Sequence, residues 1–177
     1  MVWEHYFQQK IMRQFFQRSL ILSLLFGLLI LSWGAIASNA TAAVYQMEEA
    51  PGQMLYQSRH TLRDEIDEPW QVVLFKREKD NGENSIHLRL VGFPDLTNFA
   101  HPQPLKVFTS TGKVLLAEDF FATESPADNV GEFDFQTVLP QLPQVASVQL
   151  LLKMKDESAI ALRIPAEVVL EWHLIVQ

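Results

Sequence analysis

Alternating apolar and polar residues dominate the chain beyond residue 43, and the clearest run is Trp70–Phe93. Ile86, Leu88 and Leu90 are separated by polar residues, so a strand here has one buried face and one wetter face. The preceding run VVLF, residues 72–75, is apolar throughout, which is typical of a central strand covered on both faces. The pattern therefore predicts a hairpin whose first strand lies inside a sheet.

Turn residues separate the apolar runs at three places. The dipeptide Asn81-Gly82 predicts a type I′ turn, because both of its residues accept positive φ. Ser110-Thr111-Gly112 separates two short apolar runs, and Lys155-Asp156-Glu157 separates two longer ones. The sequence thus predicts three hairpins.

The segments around these hairpins are less regular. Val44–Gly52 is acidic and ends in Pro-Gly, which predicts an extended arm leading to a turn. Phe120-Phe121, in the loop 118–130, is predicted to be anchored in the core. Pro165 fits the first turn of a helix, and the apolar residues after it follow helical spacing: Val168, Val169, Trp172 and Val176. A final strand is the alternative, because Val and Ile are frequent in strands.

These elements together predict the fold class. The chain is expected to be mainly β, an antiparallel β-sandwich or small barrel built from hairpins, with a C-terminal helix. Residues 43–177 are long enough for one domain with its own core.

The first 42 residues have the pattern of a secretory signal peptide. Lys10, Arg13 and Arg18 precede the uncharged apolar run 19–37, and small residues follow it. Ala40-Thr41-Ala42 fits a cleavage site, and residues 35–37 (Ala-Ile-Ala) form a second candidate. The alternative is an uncleaved anchor, which would be the chain's only association with a membrane.

The negative net charge of the chain limits the kinds of molecule that it is expected to bind. The net charge is −7, and loss of residues 1–42, with three basic residues and one acidic residue, would make it −9. Such a surface disfavours nucleic acid and anionic lipid headgroups and suits solubility or a basic protein partner. The chain contains no cysteine, so neither disulfides nor thiol chemistry is expected.

No pattern of catalytic, cofactor-binding or metal-binding residues occurs in the sequence. The histidines beyond residue 42 are His60, His87, His101 and His173, and they form no metal-binding spacing. Ser110 and Ser125 lie in loops without a local base, and the paired carboxylates lie in charged loops. Glycine-rich phosphate loops are also absent. The sequence therefore assigns no catalytic, cofactor or metal residue and predicts a protein that is not an enzyme.

Aromatic residues are numerous enough to fill a core or to line an apolar pocket, and both alternatives stay open. The set consists of Trp70, Phe93, Phe99, Phe108, Phe120, Phe121, Phe133, Phe135 and Trp172.

Several blocks of the sequence resemble a known family. They are EEAPGQMLYQSRHTLRD, WQVVLFKR, LRLVGFP, AHPQPL, NVGEFDFQTVLPQLP and PAEVVLEW, and they extend from about Glu48 to Trp172. In this order they resemble the DUF3122 family, exported proteins of unknown function found mainly in cyanobacteria. The resemblance implies a location in the periplasm or the thylakoid lumen, and it implies no activity and no functional residues.

Three functions are compatible with these features. The first is a non-enzymatic periplasmic or lumenal domain that binds a protein partner, with a link to photosynthetic complexes suggested by the family's distribution. Its contacts are expected in the loops EEAPGQ (48–53) and AHPQPL (100–105), beyond the hairpin itself. The second is a carrier of a small apolar ligand in an aromatic-lined pocket. The third is an envelope hydrolase.

Overall fold

The alternating residues build two antiparallel sheets within residues 45–176, the part of the chain that the computed structural model describes. The elements are β1 (Tyr45–Ala50), β2 (Gln53–Arg63), β3 (Pro69–Lys79), β4 (Asn84–Val91), β5 (Leu105–Thr109), β6 (Val114–Ala117), β7 (Val130–Asp134), a 3₁₀ turn (Leu139–Gln141), β8 (Val148–Lys153), β9 (Ala159–Ile164) and α1 (Ala166–Ile175). The predicted leader, residues 1–42, lies outside the described residues.

The two sheets share one core. The five-stranded sheet has the order β1-β2-β3-β4-β7, and the four-stranded sheet has the order β6-β5-β8-β9. Residues of both sheets, such as Leu74 and Leu88 in the first and Val107 and Leu150 in the second, belong to the same buried cluster. Neither sheet closes on itself within the described residues. The predicted mainly β fold is confirmed, and of the two predicted architectures the chain forms the sandwich.

The VVLF run occupies the centre of the first sheet, as predicted. β3 lies between β2 and β4. Val72 and Leu74 point into the main core, while Val73 and Phe75 form a second buried cluster with Leu55 on the other face. Because both faces of β3 are buried here, side chains pointing to either face are apolar, and this explains the continuous apolar sequence.

The turn at Asn81-Gly82 differs from the predicted type. Gly82 has a φ of +83°, whereas Asn81 is not among the residues with positive φ, so the turn is not type I′. Lys79 N–H donates to the Glu83 carbonyl, and Gly82 N–H donates to the Lys79 carbonyl. This is a three-residue loop, a type I turn followed by one left-handed residue.

The same turn closes three other hairpins, at 64–68, 109–113 and 154–158. Its left-handed position is glycine at Gly82 and Gly112, but Asp67 and Glu157 occupy it in the other two turns, both with a φ of +69°. A residue with a side chain destabilises the folded state by roughly 1–2 kcal/mol when its backbone is left-handed. The turns at Asp67 and Glu157 are therefore strained, and the turns at Gly82 and Gly112 are not.

Glu157→Gly should raise the free energy of unfolding by about 0.5–1 kcal/mol, because the relief of left-handed strain exceeds the entropic cost of glycine. The lost side-chain contact with Lys153 is highly exposed and contributes little. Thermal unfolding followed by circular dichroism should show a midpoint about 2–4 °C higher. Gly112→Ala is the matched control: its Cβ would meet no atom within 4 Å, so the φ of +82° alone should lower the midpoint. A lower midpoint for Glu157→Gly would contradict the assignment of strain.

Two local predictions had different outcomes. Residues 45–50 are extended and lead to the turn at Pro51-Gly52, as predicted, and they also pair with β2 as the edge strand β1. The prediction for Phe120 was wrong. Phe120 is 59% exposed and packs edge-on against His87 instead of entering the core. The main-chain bond from Phe120 N–H to the Glu132 carbonyl holds it beside β7, on the outer face of the sheet.

The C-terminal helix is confirmed over the alternative strand. Pro165 precedes α1, and Val168, Val169, Trp172 and Ile175 are buried. Trp172 packs edge-on against Phe135, with the ring centroids 6.0 Å apart. Within residues 45–176, no helix has the length and apolar character needed to cross a membrane.

Candidate functional site

Three histidines that the sequence left without partners each contact a carboxylate. His60 Nε2 lies 3.1 Å from Glu171, His87 Nδ1 lies 2.9 Å from Glu132, and His101 Nδ1 lies 2.6 Å from Asp119. These pairs join residues 18 to 111 positions apart in the chain, so no local spacing could have predicted them.

The predicted candidate nucleophiles do not join these pairs. Ser125 donates its hydroxyl to the carbonyls of Ala127 and Val130. Ser110 borders a surface groove whose lining contains no histidine. In the described part of the chain, neither serine forms a hydrogen bond with a histidine or a carboxylate. Within the same residues, no three histidine or acidic side chains come close enough together to hold a metal ion.

Glu132 is the carboxylate of these pairs that also binds an arginine. Its side chain is 2% exposed, and Arg89 Nε donates to its Oε2 at 2.8 Å, with Nη2 donating to the same oxygen. The Nδ1–H direction of His87 is unsuited to a hydrogen bond, so that contact is electrostatic. Burial by itself would raise the pKa of Glu132, but the contacts with His87 and Arg89 outweigh burial and hold this pKa below its usual value.

This charged cluster covers the small core on the outer face of the five-stranded sheet. Phe75 stacks on His87 at 5.6 Å between centroids, and the guanidinium of Arg77 lies 4.6 Å from the Phe75 ring. Arg77 in turn is bound by Glu49 at 2.8 Å. Arg77 and Arg89 are each bound by a carboxylate, so the cluster covers Phe75 with paired charges.

A different surface carries exposed apolar side chains. Ile66 in the β2–β3 turn is 77% exposed, and Phe93 and Leu96 in the loop after β4 are 54% and 68% exposed. We call these three residues the loop patch. Phe93 separates two open grooves of about 310 and 270 Å³, which share Pro69 and Trp70 in their lining. The loop patch is the candidate functional site.

Hydrogen bonds fix the first loop of the patch. Asp64 Oδ1 accepts from the main-chain N–H groups of Ile66 and Glu68, both at 3.0 Å. Asp64 Oδ2 accepts from the indole Nε1–H of Trp70 at 3.0 Å. Trp70 is 1% exposed, so a single carboxylate ties the turn that presents Ile66 to the core.

The second loop is fixed in a similar way. The Phe93 carbonyl accepts from the N–H groups of Leu96 and Thr97, and Asn129 bonds both the N–H and the carbonyl of Gly92. A Cβ on Gly92 would lie 2.3 Å from Thr97 Oγ1, so only glycine allows this close packing. Phe93 and Leu96 are therefore held in exposed positions by the fold.

Acidic residues surround the loop patch. Asp64 and Glu68 line its 270 Å³ groove, and Glu65, Asp67 and Asp95 lie beside Ile66 and Leu96 in the same loops. The surface therefore combines apolar side chains with a negative rim. That combination suits a segment that carries both apolar and basic residues.

Comparison with known proteins then gives the lineage. A family model described as "Protein of unknown function (DUF3122)" matches residues 42–175. The chain belongs to the DUF3122 family. No curated protein and no solved structure matches it. Since the family's description names no activity, functional residues of this DUF3122 protein have to be inferred from its own structure.

The two predicted contact loops of the DUF3122 chain lie apart. EEAPGQ forms the β1–β2 turn, and the N–H of Asp80 donates to the carbonyl of Gly52, so this loop lies beside the β3–β4 turn at the end of the sheet remote from the loop patch. In AHPQPL, His101 binds Asp119. Contact through either loop stays a prediction. The loop patch was missed, although Ile66 and Phe93-Pro94, apolar residues within turn sequences, were its visible sign.

The aromatic residues divide between the core and the surface. Trp70, Phe99, Phe133, Phe135 and Trp172 are buried. Phe93 and Phe108 border surface grooves, and Phe120 lies on the outer sheet face. The grooves that Phe93 and Phe108 border are not lined mainly by the aromatic set.

Proposed function

We propose that this DUF3122 protein is a non-enzymatic, exported β-sandwich domain that binds a protein partner through the loop patch. The observation that carries the proposal is the exposure of Ile66, Phe93 and Leu96, at 77%, 54% and 68%, on two loops fixed by hydrogen bonds. Large apolar side chains that are rigid and adjacent mark interaction surfaces more often than isolated exposed ones do.

The rim of the loop patch defines the partner's chemistry. Burial of the three apolar side chains supplies affinity, while Glu65, Asp67, Glu68 and Asp95 favour lysine or arginine on the facing segment. Rim charges of this kind act mainly on the association rate and on its dependence on salt. The partner segment is therefore apolar with flanking basic residues.

The leader sequence supports export. A positive segment, an uncharged apolar run and Ala40-Thr41-Ala42 together indicate cleavage before residue 43 and release into the periplasm or the thylakoid lumen. Photosynthetic complexes, suggested by the lineage, are the first place to seek the partner.

The two other functions receive less support from the geometry. A carrier needs an enclosed apolar pocket, and the grooves beside Phe93 are open and lie at or below the usual lower limit of about 300 Å³. A hydrolase needs a nucleophile activated by a base, and in the described part of the chain neither Ser110 nor Ser125 is hydrogen-bonded to a histidine or a carboxylate.

The double substitution Ile66→Ser and Leu96→Ser should reduce partner capture at least tenfold, because it removes two apolar anchors. The full-length protein would carry a photo-crosslinking residue at Glu65, and crosslinked complexes would be isolated from thylakoid and plasma membranes and quantified. Both substituted side chains are more than 60% exposed, so stability should change by less than about 0.5 kcal/mol.

Val145→Ser is the matched control, since Val145 is 84% exposed but lies away from the loop patch in sequence. It should leave capture unchanged. Glu65→Lys, with the crosslinker moved to Asp67, should slow association and weaken its salt dependence. Equal capture by the double variant, or no stoichiometric partner from either membrane, would contradict the proposal.

A further inference from the structure

A polar groove on the four-stranded sheet is distinct from the loop patch. It has a volume of about 480 Å³ and is open to solvent. Its floor comes from β5, β8 and β9, and residues 63–65 of the β2–β3 connection form one wall. The lining is mixed, with arginine, hydroxyl, amide and apolar groups: Arg63, Asp64, Glu65, Phe108, Thr109, Ser110, Ser147, Val148, Gln149, Ala161 and Arg163.

Strand register places three different functional groups in one row of this groove. Phe108 on β5 is opposite Gln149 on β8, and Gln149 is opposite Arg163 on β9. Neighbouring strands are about 4.8 Å apart, so the row offers an aromatic ring, an amide and a guanidinium within the length of a small ligand. The three residues are far apart in sequence and meet only through sheet pairing.

Arg163 is the available cation of the groove. Its Nη2 donates to Ser147 Oγ at 3.3 Å, and within residues 45–176 no carboxylate lies within the 4.0 Å of an ion pair. Arg63 lines the opposite wall, where its Nη1 contacts the Asp67 carboxylate at 3.3 Å and donates to the Asp67 main-chain carbonyl. Both side chains are more than half exposed, so these contacts are weak, and Arg63 can turn toward a ligand by giving them up.

The two acidic side chains of the lining differ in how many hydrogen bonds hold them in place. Asp64 is engaged by two main-chain N–H groups and by Trp70, whereas Glu65 is exposed. Two guanidiniums and two carboxylates make the groove close to neutral. The groove therefore has no excess positive charge to hold a dianion, while the fork of a guanidinium binds a singly charged carboxylate through two parallel hydrogen bonds.

We propose that this groove binds a carboxylate-bearing small molecule or peptide end, with its carboxylate on Arg163. Arg63 closes over the carboxylate from the β2–β3 side. Gln149, Ser110 and Ser147 are placed to bond amide or hydroxyl groups, and Phe108 and Ala161 contact the apolar part of the ligand. The site uses none of the three loop-patch residues, so this proposal does not depend on the proposed function.

The test is an NMR titration of the ¹⁵N-labelled protein, expressed from its full-length sequence and purified as the cell processes it. The probe is N-acetylglycine, which should give saturable shifts at groove residues with a dissociation constant on the order of 1 mM. N-acetylglycinamide, which lacks the charge, should give no saturable shifts. Inorganic phosphate should bind at least several-fold more weakly than N-acetylglycine.

Arg163→Gln should weaken N-acetylglycine at least tenfold, because it removes the charge-assisted contact. Arg59→Gln is the matched control, an exposed arginine on β2 outside the groove lining, and should leave binding unchanged. Unchanged binding by Arg163→Gln, equal binding of the amide, or tighter binding of phosphate would each overturn the proposal. Repeating the titration with acetate distinguishes a simple carboxylate from a peptide end. Acetate lacks the amide group of N-acetylglycine, so it should bind more weakly when the groove recognises a peptide end.

Discussion

Trp70→Ala is expected to lower the free energy of unfolding by about 3–5 kcal/mol and to abolish partner capture at the loop patch. Trp70 is 1% exposed, packs edge-on against Phe99 at 6.0 Å, and borders both grooves beside Phe93. Its indole N–H also holds Asp64, whose other oxygen fixes the turn that presents Ile66. The substitution thus removes core volume and the anchor of a binding loop together. Denaturant unfolding measures the first effect, and quantitative crosslinking from Glu65 measures the second.

Trp172→Ala separates the two effects. Trp172 is fully buried against Phe135, so its loss should cost a similar 3–5 kcal/mol, yet it lines neither groove of the loop patch. At a temperature where both variants stay folded, Trp172→Ala should retain partner capture and Trp70→Ala should not. Trp70→Phe should recover most of the stability but not the bond to Asp64. Equal capture by Trp70→Ala and Trp172→Ala would disconnect Trp70 from the site.

Glu132→Gln is expected to lower the free energy of unfolding by about 2 kcal/mol at neutral pH. A fully buried ion pair that loses one partner costs roughly 3–5 kcal/mol, and the 40% exposure of the Arg89 side chain reduces that cost. The substitution leaves Arg89 and His87 without their shared carboxylate while keeping the volume of the side chain. Urea unfolding at pH 7 measures the difference.

The same carboxylate determines a pH dependence. Since the pKa of Glu132 is lowered in the folded protein, the unfolded chain binds the proton more readily, and acid favours unfolding. This stabilisation is fully present above the unfolded pKa of about 4.3 and is lost as the pH falls through the lower folded value. The difference in unfolding free energy between wild type and Glu132→Gln should therefore shrink below about pH 4.3.

Glu83→Gln provides the control for this pH effect. The contact with Lys79 also lowers the pKa of Glu83, but that side chain is 64% exposed, and its substitution should produce no measurable change in unfolding at any pH. If the difference between wild type and Glu132→Gln stayed constant down to pH 3, the carboxylate of Glu132 would not be the titrating group.

Patterns of short range were sufficient for much of the fold. The continuous VVLF run placed β3 inside a sheet, and the alternation at Ile86, Leu88 and Leu90 predicted a strand with one buried face, because strand periodicity depends only on neighbouring residues. Helical spacing after Pro165 favoured a helix over a strand, and the structure contains the helix α1. The family resemblance was likewise present in the order of sequence blocks, and the matching residues 42–175 confirm it.

The turn at Asn81-Gly82 shows where local reasoning fails. Its residues allow positive φ at both positions, but the chain uses it at Gly82 alone. The Asn-Gly dipeptide alone does not show which flanking residues form the last pair of the two strands. Here the last pair is Lys79 with Glu83, so three residues remain in the loop and the turn is of a different type. Phe120 failed for a related reason: its exposure follows from a main-chain bond to Glu132, 12 positions away.

By itself the sequence determined the β-rich class, three of the hairpins and the lineage, and it favoured the C-terminal helix, since each depends on residues close in the chain or on their order. The leader, residues 1–42, stays a prediction. The tertiary structure alone decided which residues meet. It placed Ile66 beside Phe93 and Leu96, Arg163 in one row with Phe108, and Glu132 between His87 and Arg89. Those neighbours come from strands paired across long stretches of chain, and long-range pairing is set by the packing of the whole core, which no local pattern specifies.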